Sequence, residues 1–242
     1  MGKRIKVQRR GQGTQQFRAA HTGKVAPATY PSITEGTIQG VVRDLQHEAG
    51  RGAPLALVEL ENGESFYTTA PEGLAIDQAI KLGREIPIEV GNVAPLGDIP
   101  EGTLVCNIEL KPGDGGKIAR SSGSYATIIA HSDDITVLKL PSKSSIQVHS
   151  KARATIGVTS GAGRMEKPFL KAGEARLASR VKGQVYPTAH GVKMTASSHP
   201  HGGGRHRRPG KSTTVGRLSP PGAKVGLIAA RSSGRGGKRR RE

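Results

Sequence analysis

The chain has 242 residues with 37 Lys and Arg against 19 Asp and Glu, a formal charge of +18, and only 34% of it is hydrophobic, with no Trp, three Phe and four Tyr. That composition excludes a large aromatic core, and no window approaches the roughly 18 apolar residues of a membrane helix, so the partner to look for is a polyanion and not a lipid bilayer. The single Cys106 has no internal partner for a disulfide, and no apolar stretch follows the basic start MGKRIKVQRRGQG as a signal-peptide core would; both features predict a cytoplasmic protein.

The charge is sorted along the chain. Residues 1–34 carry seven bases and no acid, residues 37–160 balance eleven bases against fifteen acids, and residues 161–242 set nineteen bases against three acids. Long runs of like charge repel themselves and have no internal counter-charge, so they need an external polyanion before they become compact. Gly and Pro concentrate in the same ends, where ordering the backbone would not be repaid by apolar burial. Both ends are therefore expected to be disordered alone, and the core is expected from the middle.

In chain order, residues 1–36 read as a basic extended arm, because Gly2, Gly11, Gly13, Gly23, Pro27 and Pro31 interrupt every potential helix. GTIQGVVRDLQHE, APLALVELENGESFYTTAP and REIPIEVGNVAP follow. They are short, rich in β-branched residues, and contain Asn62-Gly63 between two strand-like runs as a hairpin signal. A small antiparallel barrel over 37–95 is predicted. A second set of strands, TLVCNIEL, SYATIIAHS, DITVLKL, SIQVHS and ATIGVTS, predicts another barrel over 96–170, with clear alternation in Thr136–Leu140 and Ser145–Val148. Lys171–Arg180 is the one convincing short helix, flanked by Gly173 and Gly183. It opens a Gly- and Pro-rich basic C-terminal extension, 171–242, without internal repeat.

The most specific stretch is His199-Pro-His-Gly-Gly-Gly-Arg-His-Arg-Arg-Pro-Gly210. Glycines Gly202, Gly203 and Gly204 allow backbone N–H groups to approach a phosphate or base closely, and Arg205, Arg207 and Arg208 fork onto phosphate oxygens. An ordinary linker does not place three His and three Arg in twelve residues. His199, His201 and His206 also raise a metal or acid–base reading. Against it, a structural zinc site usually needs four ligands, the only thiol lies in a different predicted barrel, and no carboxylate stands nearby in sequence to orient a general base. No metal, no catalytic residue and no cofactor is expected, apart from Mg²⁺ associated with RNA.

Lys111-Pro-Gly-Asp-Gly-Gly-Lys117 evokes a phosphate-binding loop but fails that pattern, since Ile118 follows the lysine where Ser or Thr is required. A glycine-rich barrel loop laid on an RNA backbone, with Lys117 and Arg120 as contacts, fits better. Gly161-Ala-Gly-Arg164 with Lys167 and Lys171 is a similar loop, beside the plain alternative of a hairpin turn next to a charged exit. In Pro220–Arg231, Val225, Leu227 and Ile228 are expected to anchor locally while Lys224 and Arg231 contact phosphate; Lys238–Arg241 read equally well as a solvated charged end.

Taken in order, GKRIKVQRRGQGTQQFRA, GRGAPLALVELENGE, TAPEGL, GNVAPLGDIPEGTLVCNIELKPGDGGKIARSSGSYATIIAH, VLKLPSKS, RATIGVTSGAGRMEKPFLKAG, GVKM, HPHGGG and PPGAKVGLIAARSSGRGG make the chain resemble the universal family of large-subunit ribosomal protein two, in its archaeal form. The resemblance spans nearly the whole chain. It implies an OB-like barrel followed by an SH3-like barrel, with extended ends that bind large-subunit rRNA. It also implies a position near the peptidyl transferase centre, neighbouring large-subunit proteins, contact with small-subunit rRNA at an intersubunit bridge, and an indirect role in tRNA binding.

The departures lie at Met194–Ser198, where the family commonly has Met-Asn-Pro-Val, at Ala175–Gln184, where Arg176, Arg180 and Lys182 supply the charge, and at Ser142–Ser145, which lacks Gly. The rRNA contacts expected are, at the start, Lys3, Arg4, Arg9, Arg10 and Arg18. In the middle they are Lys117, Arg120, Arg164, Lys167 and Lys171. Toward the end they are Arg176, Arg180, His199, His201, the three loop glycines, Arg205, His206, Arg207, Arg208, Lys211, Arg217, Lys224, Arg231 and Arg235. Two rival readings remain beside the RNA scaffold: an acyl-transfer catalyst using His201, and a free nucleic-acid chaperone or DNA-compacting protein.

Overall fold

The computed structural model describes residues 2–32 and 36–230. Its described residues fall into two compact units, His21–Phe169 and a second made of residues 2–20 with 170–230. The protein is mainly β, as the sequence predicts.

The first unit holds one ten-stranded sheet. Strands β1 (Ile38–Gln46), β2 (Leu55–Leu60) and β3 (Ser65–Thr69) form an antiparallel meander, with β4 (Ala79–Leu82) on the free side of β1. The Asn62-Gly63 hairpin is present. Gly63 has φ 82°, the Leu60 N–H donates to Glu64 O at 2.8 Å, and the Glu64 N–H donates to Asn62 Oδ1 at 3.0 Å. A β-bulge between Val42 and Asp44 bends β1. Then come β5 (Val93–Pro95), β6 (Leu104–Cys106), β7 (Ala126–Ser132), β8 (Ile135–Lys139), β9 (Ser145–His149) and β10 (Arg153–Ile156). The last of these inserts between β5 and β6.

Two apolar cores line this sheet. One gathers Val42, Val58, Phe66, Ile80, Leu82 and Val93; the other gathers Ala94, Leu96, Ile108, Ile128, Leu138 and Ile156. Val93 and Ala94 are adjacent yet belong to different cores, because successive strand residues face opposite sides. The expected alternation in Thr136–Leu140 is present, with Thr136 and Leu138 buried and Lys139 exposed.

Two features differ from the sequence reading of this unit. REIPIEV is not a paired strand: Pro87 removes a ladder donor, and the Asn92 side chain accepts from Lys81 N–H (2.9 Å) and donates to Pro87 O (2.9 Å), so only Val93–Pro95 pairs. The segment 21–31, read from composition as part of an extension, is fastened to the sheet. The Thr29 N–H donates to Tyr67 O (2.9 Å), and the Tyr30 hydroxyl, within reach of Thr155 Oγ1 (2.6 Å), donates to Asn107 O (2.7 Å).

In the second unit the expected helix appears as α2, Ala172–Val181, and an unexpected one as α1, Lys6–Gly11. The stretch Lys6–Arg10 contains neither Gly nor Pro, and the Gln8 side chain reaches back to the Ile5 N–H at 3.0 Å, capping the first turn before Gly11 ends it. At the end of α2, Gly183 takes φ 67°, its N–H donates to Arg180 O (3.0 Å) and the Gln184 N–H donates to Ser179 O (2.9 Å), a Schellman stop. A short parallel pair, β11 (Thr214–Val215) with β12 (Leu227–Ile228), ties the last described turns together.

Candidate nucleic-acid interface

In the sheet-bearing unit, the two glycine loops that the sequence presents separately come together. The Gly123 N–H donates to Thr159 O at 2.9 Å, and Arg164 Nε donates to Ser122 Oγ at 3.2 Å. A Cβ on Gly161 would stand 3.1 Å from Gly52 O, and one on Gly52 would strike the Arg164 guanidinium, so three loops meet with no room for side chains between them. Lys117, Arg164 and Lys167 are exposed at this edge, with Arg164 laid against Ser122 and Gly52.

Arg120 is partly engaged within the protein. Its guanidinium donates to Gly116 O (2.9 Å) and Ala28 O (3.0 Å), half-buried, and burial followed by the charge of Arg51 pushes its pKa down. Arg120 therefore pins the loop against segment 21–31 with two of its five N–H donors. Arg51 is likewise engaged, with Glu48 at 2.8 Å.

The unit also contains a buried charge pair that the sequence did not signal. Glu109, fully buried, accepts from Arg153 Nη2 (2.8 Å), the Arg153 N–H (2.9 Å) and the Gly115 N–H (2.9 Å), while Arg153 Nη1 donates to Pro31 O (2.7 Å) and its guanidinium lies 5.3 Å from the Tyr30 ring centre. Burial works to raise the Glu109 carboxyl, but the Arg153 side chain and the two N–H donors outweigh it and hold the group below the usual carboxylate range. Glu109 holds the same loop that presents Lys117.

In the second unit, His199–Gly204 is a tight turn on Met194–Ser198. The Gly202 N–H donates to His199 O (2.9 Å), the Gly203 N–H to Met194 O (3.0 Å) and the His201 N–H to His199 Nδ1 (3.0 Å). A Cβ on Gly202 would lie 2.4 Å from Thr195 O. The glycines thus serve close packing of backbone on backbone, and the N–H groups of Gly202 and Gly203 are already used. His199 Nδ1 accepts, so its proton sits on Nε2; burial first, and His201 second, lower its pKa and favour that neutral ring. Arg205, His206, Arg207 and Arg208 follow as an exposed run, and Gly204 is exposed beside them.

The N-terminal residues meet this turn, since the Lys3 N–H donates to Ser197 O at 2.8 Å. A cavity of about 540 Å³ opens there, lined by Lys3, Arg4, Ile5 and Gln8, by Ser197, His199 and His201, and by Lys211, Val215 and Val225. A second cavity of about 580 Å³ is lined by Arg4, Lys6, Arg9, Phe17, Pro187 and Met194. Among the described residues, neither has a carboxylate in its wall.

Elsewhere, Arg10, Lys171, Arg176, Arg180 and Arg217 are exposed, Lys224 is half-buried, and Arg18 is exposed with its Nε on Gly13 O (2.6 Å). Arg231 and Arg235 lie outside the described residues. Among the described residues the ion pairs use Lys24, Arg43, Arg51 and Arg153, and none of the Lys and Arg residues expected to contact RNA is among them. Also among the described residues, no group of His, Cys and carboxylates is placed to hold a metal.

Fold and charge together define a class first: a mainly β protein whose sheet unit ion-pairs Glu48, Glu59 and Glu109 internally, while most of the bases in its loops and chain ends are exposed. Comparison with known proteins then narrows it. Residues 89–222 match the family model described as Ribosomal Proteins L2, C-terminal domain. A relative from Korarchaeum cryptofilum, called "Large ribosomal subunit protein uL2", is 52% identical over 99% of this chain and 98% of its own length. Those of the same name from Hyperthermus butylicus and Methanosphaera stadtmanae are 51% and 49% identical, each over 97% of this chain and 99% of their own. The chain belongs to the ribosomal protein L2 family.

Proposed function

We propose that the chain is a structural constituent of the large ribosomal subunit, a non-enzyme that binds large-subunit rRNA directly and packs beside other large-subunit proteins. The observation that carries this reading is the set of exposed bases that have no acidic partner among the described residues, Lys3, Arg4, Arg9, Lys117, Arg164 and Arg205–Arg208 foremost. Each such base placed on a phosphate releases condensed counter-ions, and RNA is preferred over DNA because its folded junctions are read by shape, backbone and 2′-OH. A position near the peptidyl transferase centre, a bridge to small-subunit rRNA and indirect support of tRNA binding and peptide bond formation complete the proposal. These are implied by the family resemblance.

Gradient sedimentation tests it: the chain should travel with large subunits. Its affinity for rRNA should fall with salt on a log–log slope of about −0.7 to −0.9 per phosphate contacted. Equal affinity for duplex DNA would instead favour a free nucleic-acid chaperone. Among the described residues no carboxylate lines the cavity around His201, which weighs against an acyl-transfer role. Ribosomes carrying His201→Ala should keep the wild-type rate of peptide bond formation; loss of that chemistry with normal assembly would reverse the assignment.

A further inference from the structure

Building on the RNA-binding reading above, the cavity between the N-terminal residues and the His199–Gly204 turn has a more specific chemistry than a basic surface. Its volume of about 540 Å³ falls in the range of roughly 300–1,000 Å³ typical of sites that enclose a small organic group. Ile5, Val215 and Val225 supply apolar wall, while Lys3, Arg4 and Lys211 supply positive charge. The His199 and His201 rings stand edge to face, 5.0 Å apart at 61°.

His201 is 9% exposed, and among the described residues no hydrogen bond reaches either of its ring nitrogens. Among the described residues the fully buried polar side-chain atoms without a partner are Thr69 Oγ1 and Asn107 Oδ1, so the His201 ring nitrogens open onto the cavity and are available to the polar edge of a ligand. The surroundings are held in place by main-chain bonds: Lys3 N–H to Ser197 O (2.8 Å) on one side and Leu227 N–H to Thr213 O (2.8 Å) on the other. A metal ion is disfavoured by three cations, and a free phosphate leaves the apolar wall and the rings unused. A flat heterocycle joined to a phosphate uses all three kinds of surface.

We propose that this cavity is a socket for one unstacked nucleotide of the bound RNA. Its base packs against Val215, Val225 and the imidazoles and takes hydrogen bonds from His201, and its phosphate sits on Lys3 and Lys211. Base packing on aromatic faces is sequence-tolerant, while the ring nitrogens of His201 add the means to read a base edge.

The test uses large subunits purified with the full chain in place, mapped for base accessibility with dimethyl sulfate and a carbodiimide. Ala223→Trp puts an indole into the cavity from its lining. One base shielded in wild-type subunits should become reactive by about tenfold, the loss of a stacked contact, while reactivity elsewhere in the RNA stays unchanged. An unaltered map with the variant at full occupancy overturns the socket. If the bulky variant does not enter subunits, Lys211→Met, which alters only an exposed cation, carries the test: the same single-base gain supports the socket and its absence overturns it. Wild-type chain missing from large subunits would sink the RNA-binding reading itself, a distinct failure.

Discussion

Among single residues, Glu109 and Arg153 matter most to the sheet-bearing unit. A fully buried carboxylate accepting five hydrogen bonds is stable only as a set, and removing one charged member leaves the other uncompensated. Glu109→Gln is expected to destabilise the fold by about 3–5 kcal/mol in urea unfolding. The pH dependence follows from the lowered carboxyl. Its contribution to stability is fully present above the ordinary carboxylate range and is lost as pH falls through the lowered folded value, so acid unfolding of the wild type should be steeper than that of Glu109→Gln. Cys106 illustrates the opposite effect. Burial pushes its thiol up to about 12, and alkylation at neutral pH should require unfolding, which mass spectrometry with and without urea would reveal.

Among elements, the stop of α2 is the informative case. Gly183 holds a left-handed conformation, and a Cβ there would also meet the main chain of Phe17, Arg18 and Ala19 within 2.8 Å. Left-handed backbone alone costs an L-residue about 1–2 kcal/mol, and the contact with residues 17–19 adds to it. Gly183→Ala should therefore make the bond after Arg18 more sensitive to trypsin, whereas Gly173→Ala, with open space around its Cα, should not. Helix α2 buries none of its residues, so its N-terminal neighbour and its glycine stop hold it rather than a core.

For the whole molecule, the two units differ in what can hold them. Both large apolar cores belong to His21–Phe169, whereas in residues 2–20 and 170–230 the buried apolar side chains are Ile5 and Val225 alone. Two buried side chains do not offset the entropy of ordering some eighty residues, which costs on the order of 1–2 kcal/mol each. The basic unit is expected to exchange amide hydrogens rapidly in the RNA-free chain and slowly in assembled subunits, with the sheet unit protected in both. Equal protection of both units without RNA would contradict this.

Much of the architecture was written in local patterns. Alternation in β8 and β9, the Asn62-Gly63 hairpin and the glycine after α2 are short-range, because period and turn chemistry act within a few residues. The segregation of charge and the basic character of the HPHGGG turn were equally plain. Helix α1 escaped notice because its capping comes from a glutamine side chain rather than from a Ser, Thr, Asp or Asn at its start.

By itself, then, the sequence determined the β-rich middle, the cationic ends, the hairpin and the family resemblance. Tertiary structure alone decided which cations stay free. It took Arg120 and Arg153 out of the solvent-facing set, used the Gly202 and Gly203 N–H groups within the turn, and buried His201 in a cavity lined from three stretches of chain. The reason is that hydrogen-bond partners and burial depend on residues far apart in sequence, such as Arg120 with Ala28 and Lys3 with Ser197, and neither composition nor periodicity encodes those meetings.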